Sequence, residues 1–160
     1  MKVKEIMTAS AVSCGPEMNV AEAVQLMWER NVGILPVVDA VGKLTGVVTD
    51  RDICIALGTR NRLASEIKVS EIAIPKVFTC KPEDDVHEAL SLLSAKQVRR
   101  LPVVNEKGTV GVLSMDDVVL HSEVGKLRGA CDLSSEEVTQ VLKRVYGIRY
   151  PVVRTKAVVH

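Results

Sequence analysis

Between residues 20 and 30 the apolar side chains Val20, Ala23, Val24 and Met27 fall at i, i+3, i+4 and i+7, the spacing of one helical face. The same spacing returns at Val86, Ala89, Leu90 and Leu93. After each helix comes an unbroken apolar run, LPVV at 35–38 and LPVV at 101–104, which reads as a buried strand. Turn chemistry follows, DAVGK at 39–43 and NEKGT at 105–109. The next strands are LTGVV (44–48) and VGVL (110–113), so each pair is expected to form a hairpin. A second helix is expected to start at TDRD (49–52) and at SMDD (114–117), ending in the first case at Gly58. Ahead of each first helix lie a short helical turn (KEIM, SEIA) and an extended piece (AVSC, VFTC). Pro16 and Pro82 are expected just inside the helix starts, where a missing N–H costs least.

These two series are copies. At an offset of 66, VKEI (3–6) meets VSEI (69–72), Cys14 meets Cys80, Pro16–Glu17 meets Pro82–Glu83, and LPVV meets LPVV. One residue is lost in the next turn, and Gly46, Val47 and Asp52 then meet Gly111, Val112 and Asp117. Repeats of this kind set the architecture. Each unit is β-α-β-β-α, one over residues 1–62 and one over 66–123, with an extension at 124–160. A unit that small cannot bury both faces of its sheet, so the two are expected to pack together.

Composition narrows the function classes. The formal charge is +1 and aromatics are 2% of 160 residues, so neither a polyanion-attracting field nor a base-stacking platform is in evidence. The N-terminal stretch lacks the apolar run of a signal peptide, and no run approaches a membrane span. A cytoplasmic location is expected. Cys14, Cys54, Cys80 and Cys131 form no C-x-x-C pair and have no histidine at metal spacing, so they read as reduced packing residues. No catalytic set of nucleophile and base is suggested.

The phrase written twice, GVVTDRD (46–52) and GVLSMDD (111–117), carries the candidate chemistry. Thr49-x-x-Asp52 and Ser114-x-x-Asp117 have the form of capping boxes, and capping alone accounts for them. They also place a hydroxyl and a carboxylate at a helix N-terminus after a buried strand, a setting that suits an anion or a ribose diol. Gly46 and Gly111 leave room for another group to approach the backbone.

With LPVVDAVGKLTGVVTDRDI and its second copy, residues 2–123 resemble a cystathionine-β-synthase (CBS) domain pair. The resemblance implies an α+β fold: tandem β-α-β-β-α units packed through their sheets about a pseudo-twofold, with two clefts that sense adenosyl ligands. AMP, ADP, ATP and S-adenosylmethionine are the candidates. No cofactor is required and no catalysis is implied. Thr49 and Asp52 would face ribose and phosphate in one cleft, and Ser114 and Asp117 in the other. Ser10, Ala11 and Val12, and Lys76, Val77 and Phe78, would line the adenine pockets together with Pro36 and Pro102. Arg99 and Arg100 stand where family members put basic residues against phosphate; the first copy has Gly33 and Ile34 there, with Arg51 as a partial substitute. Since Arg99 and Arg100 belong to the second copy, a phosphate-bearing ligand is expected to depend more on Asp117 than on Asp52.

An interaction role is the alternative: a dimer built on wide apolar helix faces, with Leu26 and Leu92 extending the stripes, and clefts that are vestigial. A homodimer and a separate regulated protein are the expected partners; a membrane or nucleic acid is not. In the extension, SSEEVTQVLKRVYG (134–147) reads as a capped helix and YPVVRTKAVV (150–159) as an added strand. Its seven basic residues against three acids suit contact with nucleic acid or an acidic partner, but more often such a segment is a solvated face or packs on a neighbouring subunit. Because both phrases end before residue 118, the extension is expected to be dispensable for the clefts.

Overall fold

The computed structural model describes residues 1–122 and 133–147. Its elements in chain order are α1 (Val3–Ile6), β1 (Thr8–Ala9), α2 (Val20–Arg30), β2 (Ile34–Val38), β3 (Leu44–Thr49) and α3 (Asp50–Arg60). Two 3₁₀ turns follow, Ala64–Glu66 and Val69–Glu71. Then come α4 (Val86–Lys96), β4 (Arg100–Asn105), β5 (Gly108–Ser114), α5 (Met115–Leu120) and α6 (Ser135–Gly147). The added strand expected at 150–159 lies outside the described residues.

α2 and α4 both begin at a polar cap rather than at the prolines. The Asn19 side chain accepts from Glu22 N at 2.9 Å, and Asp85 accepts from His87 N at 2.9 Å. Pro16 and Pro82 sit in turns before these caps, because a proline has no side-chain acceptor for the free N–H groups of a first turn. Their carbonyls accept from Ser70 N (2.9 Å) and Lys4 N (3.0 Å), tying each turn to the other copy's short helical turn. α3 also departs from expectation: it runs through Gly58 and ends at Asn61, which takes the left-handed conformation at φ 49°.

The hairpins pair as expected, Pro36 opposite Val47 and Pro102 opposite Val112, each with a register shift near its turn. The extended pieces AVSC and VFTC are shorter than strands. Each makes one parallel bridge, Cys14 to Val37 and Cys80 to Val103.

What makes the copies one body is an exchange of their opening segments. β1 adds to the edge of β5, with Thr8 opposite Val112 and Ala9 opposite Gly111. Val3 and Ile6 are buried in the second copy's core with Leu90, Leu101 and Leu113. In return Ile67 and Val69 are buried in the first copy's core with Leu35 and Val48, and Ile74 bridges to Val47. Gly46 and Gly111 are the points of close approach. A Cβ on Gly111 would stand 2.6 Å from Thr8 O, and one on Gly46 would stand 3.1 Å from Ile74 O. The space those glycines leave is therefore filled by the exchanged backbone, not by a ligand. At the far end the hairpin turns meet, with the Gly42 carbonyl 2.5 Å from where a Gly108 Cβ would lie.

α6 is capped by Ser134, whose Oγ accepts from Glu137 N at 3.2 Å. It lies across α4 and α5, burying Leu133 and Val138 in the second core. His87 on α4 stands between Asp85 (Nδ1 to Oδ1, 2.9 Å) and Glu137 of α6 (Nε2 to Oε2, 3.4 Å). The first copy has no such cover among the described residues. On α2, Val24 is 42% exposed and Trp28 86% exposed, whereas Leu26 packs against the first core. No helix among the described residues is long and apolar enough to cross a membrane.

Candidate functional site

Both repeated phrases fold as true capping boxes. Thr49 Oγ1 accepts from Asp52 N (3.3 Å) and donates to Asp52 Oδ2 (2.6 Å), which also accepts from Thr49 N (3.0 Å). Ser114 and Asp117 repeat the set at 3.1, 2.6 and 2.7 Å. In each box a single carboxylate oxygen does the capping, and the other is left over. Asp52 Oδ1 accepts no hydrogen bond among the described residues, while Asp117 Oδ1 accepts from Thr8 Oγ1 at 3.2 Å. Position 74, the counterpart of Thr8, is isoleucine, so the difference is written in the exchanged segments.

Two clefts open beside the boxes, and each draws on both copies. The first, about 410 Å³, holds Thr49, Arg51 and Asp52 of copy one. Copy two supplies its opposite wall: Lys76, Val77 and Phe78, then Arg99, Arg100 and Pro102. The second, about 330 Å³, holds Ser114 and Asp117 of copy two against Ser10, Ala11 and Val12 of copy one. Gly33 and Ile34 stand there in place of a basic pair. Both volumes suit a small ligand. A family model described as CBS domain matches residues 3–59 and 69–123, one match to each copy. The chain belongs to the CBS domain family.

The chain is 31% identical over 128 residues to the CBS domain-containing protein YhcV of Bacillus subtilis, covering 80% of this chain and 90% of that one. Among solved structures it is similar to Hypoxic Response Protein I, which carries two coordinated zinc ions (TM-score 0.69, 28% identity, 77% of this chain and 100% of that one). It is also similar to the CBS domain pair of MJ0100, solved with 5′-methylthioadenosine and S-adenosylmethionine (TM-score 0.68, 26% identity, 75% of this chain and 94% of that one). Among the described residues of the present chain, no three His, Cys, Asp or Glu side chains are grouped as a metal site would need.

Two expectations from the sequence are corrected by this CBS pair. Arg99 belongs to the cleft of Asp52, not that of Asp117, and Arg100 borders both. Sequence proximity put the arginines with the wrong box, because each box faces the other copy's helix-to-strand connection. Pro36 is buried and lines neither cleft, although its counterpart Pro102 lines the first.

The clefts differ in charge. The first is lined by Arg51, Lys76, Arg99 and Arg100 against Asp52 alone. The second is lined by Arg30 and Arg100 against Asp116 and Asp117. Thr8 and Arg30 were not singled out in the sequence; only their places on the exchanged strand β1 and at the end of α2 bring them here. The ammonium of Lys96, the counterpart of Arg30, instead lies 5.1 Å from the centre of the Phe78 ring. The extension contacts one residue of the first cleft's lining: the guanidinium carbon of Arg99 is 5.9 Å from the centre of the Tyr146 ring on α6. A chain shortened to Glu123 loses that contact, and its ligand affinity is expected to stay within a few-fold.

Proposed function

We propose that this CBS pair is a non-catalytic regulatory module that binds an adenosyl ligand, AMP, ADP or ATP foremost and S-adenosylmethionine among the candidates, in the clefts between its repeats. The observation that carries this is at Asp52. Among the described residues, one carboxylate oxygen caps α3 and the other accepts nothing, in a cleft whose remaining charged residues are four bases. A ribose diol can donate to that oxygen while phosphates meet Arg51, Lys76, Arg99 and Arg100. Val77 and Phe78 supply an apolar wall for the base. Residues 1–62 and 66–123 then each furnish half of both clefts, and 124–160 is an extension whose described helix, α6, packs on the second half. The regulated partner is a separate protein and the location is cytoplasmic. The co-crystallised ligands of MJ0100 support adenosyl binding as a class. A thermal-shift panel of AMP, ADP, ATP and S-adenosylmethionine tests it. Ligand at 100 times its dissociation constant adds about 2.7 kcal/mol to stability. Absence of any shift at millimolar ligand would overturn the proposal.

An interaction role has its own observation. Val24 and Trp28 leave an apolar patch on α2, the kind of surface that a second copy covers. A homodimer through α2 is compatible with ligand-binding clefts, and sedimentation across a dilution series detects it.

A further inference from the structure

We infer that the two clefts take adenosyl ligands of different charge: a phosphate-bearing one at Thr49 and Asp52, and an uncharged or cationic one at Ser114 and Asp117. This rests on the proposal that the clefts are adenosyl sites and assigns a ligand class to each.

The inference starts from Arg100, which lines both clefts. Its Nη2 lies 3.4 Å from where a Cβ on Gly33 would be, and Asp50 Oδ2 lies 3.1 Å from the same point. Gly33 therefore keeps clear the ground over which this guanidinium reaches from one cleft toward the other. Only one cleft can use it fully at a time. A phosphate chain in the first cleft meets Arg51, Lys76 and Arg99 already in place, and Arg100 joins them through short charge-assisted bonds.

Once Arg100 is engaged there, the second cleft keeps Arg30 against two carboxylates, Asp116 and Asp117. A polyphosphate in that cleft would face like charge. A neutral thioether or a sulfonium would not, and a sulfonium would be attracted. Ribose recognition survives in either case. Among the described residues, Asp117 Oδ1 is an acceptor held by one bond, 3.2 Å from Thr8, a hydroxyl that can turn away or share a ribose oxygen. The same substitution in the repeat, Gly33 and Ile34 for Arg99 and Arg100, both strips the second cleft of its own phosphate ligands and makes room for the borrowed one.

Calorimetry on the full chain, with ATP and 5′-methylthioadenosine as the two probes, tests this. ATP is expected to bind one site per chain, and protein saturated with ATP is expected still to bind methylthioadenosine. Asp52→Asn and Arg99→Ala, at residues that line the first cleft and not the second, should each weaken ATP by about tenfold or more while methylthioadenosine stays within about twofold, and Asp117→Asn should do the reverse. Asparagine retains a cap acceptor, and equal melting temperatures of the variants confirm that folding is intact. ATP filling two sites of similar affinity, or competing with methylthioadenosine for one, overturns the division of ligands while leaving adenosyl binding in place. Failure of both probes to bind the unaltered chain overturns the adenosyl proposal and the division together.

Discussion

α2 and α4 occupy the same place in the repeat, yet their outer faces have opposite fates. Leu90 on α4 is 1% exposed, while Val24, its counterpart on α2, is 42% exposed. Ser94 corresponds to Trp28, and His87 to Ala21. The difference comes from α6, which lies over α4 with Leu133 and Val138 and meets His87 through Glu137. Where the chain supplies a cover, the outer face carries a leucine beneath it. Where the described chain supplies none, the largest apolar side chain in the protein stands at 86% exposure. A helical stripe thus states how much apolar surface an element has, and not what will cover it.

The contrast can be broken at its centre. Leu90→Ala is expected to cost about 2–5 kcal/mol, because it leaves a cavity between α4 and α6. Val24→Ala should change stability by no more than about 0.5 kcal/mol. Urea unfolding of both variants measures the pair. Equal losses would mean that α2 is covered in solution as fully as α4 is.

That outcome would turn attention to Trp28. If a second copy covers α2, Trp28→Glu should weaken the dimer by about 2 kcal/mol or more, roughly thirtyfold in dissociation constant. Sedimentation at graded concentrations reads it, and an unchanged dimer places the interface elsewhere. Leu26→Glu is the wrong probe, since Leu26 packs into its own core and its loss reads out as unfolding.

A smaller effect is expected where the cover meets the cleft. The contact of Tyr146 with Arg99 is worth about 0.5–1 kcal/mol at an exposed site, so Tyr146→Ala should weaken ATP two- to fivefold. Tyr146→Phe should restore it, because the ring face is what holds the guanidinium. No loss in titration calorimetry would detach the extension from ligand binding.

The least difference is expected at Cys14 and Cys80, which the repeat places alike. Burial pushes the Cys14 thiol up to about 11 and the Cys80 thiol up to about 12. Unfolded thiols ionise near pH 8.5, so above that the unfolded chain releases protons that the folded chain keeps. Stability from both thiols is complete below that pH and falls as pH rises toward 11–12. Alkylation followed by mass spectrometry should label exposed Cys54 before Cys14 and Cys80, which are protected together. Early labelling of one buried cysteine would show that one copy opens before the other.

The elements and the boxes were legible in the sequence because they rest on contacts a few residues apart. Helical spacing from Val20 to Met27, the apolar LPVV runs and the three-residue reach of Thr49 to Asp52 are local, and they hold in either copy. What the sequence left open is which copy meets which. Duplication makes the local terms nearly the same for a box facing its own connection and a box facing its neighbour's. Tertiary packing decides. Val3 and Ile6 are buried in the second core, Ile67 and Val69 in the first, and the exchanged backbones fit only over Gly111 and Gly46. From that exchange follow Arg99 beside Asp52, Thr8 on Asp117, Arg100 between two clefts, and the burial of Pro36 away from both. The sequence by itself determined the pieces and their caps, which short-range hydrogen bonds and periodicity specify. Only the tertiary structure determined the clefts, because a cleft between copies is a sum of long-range contacts that no single copy contains.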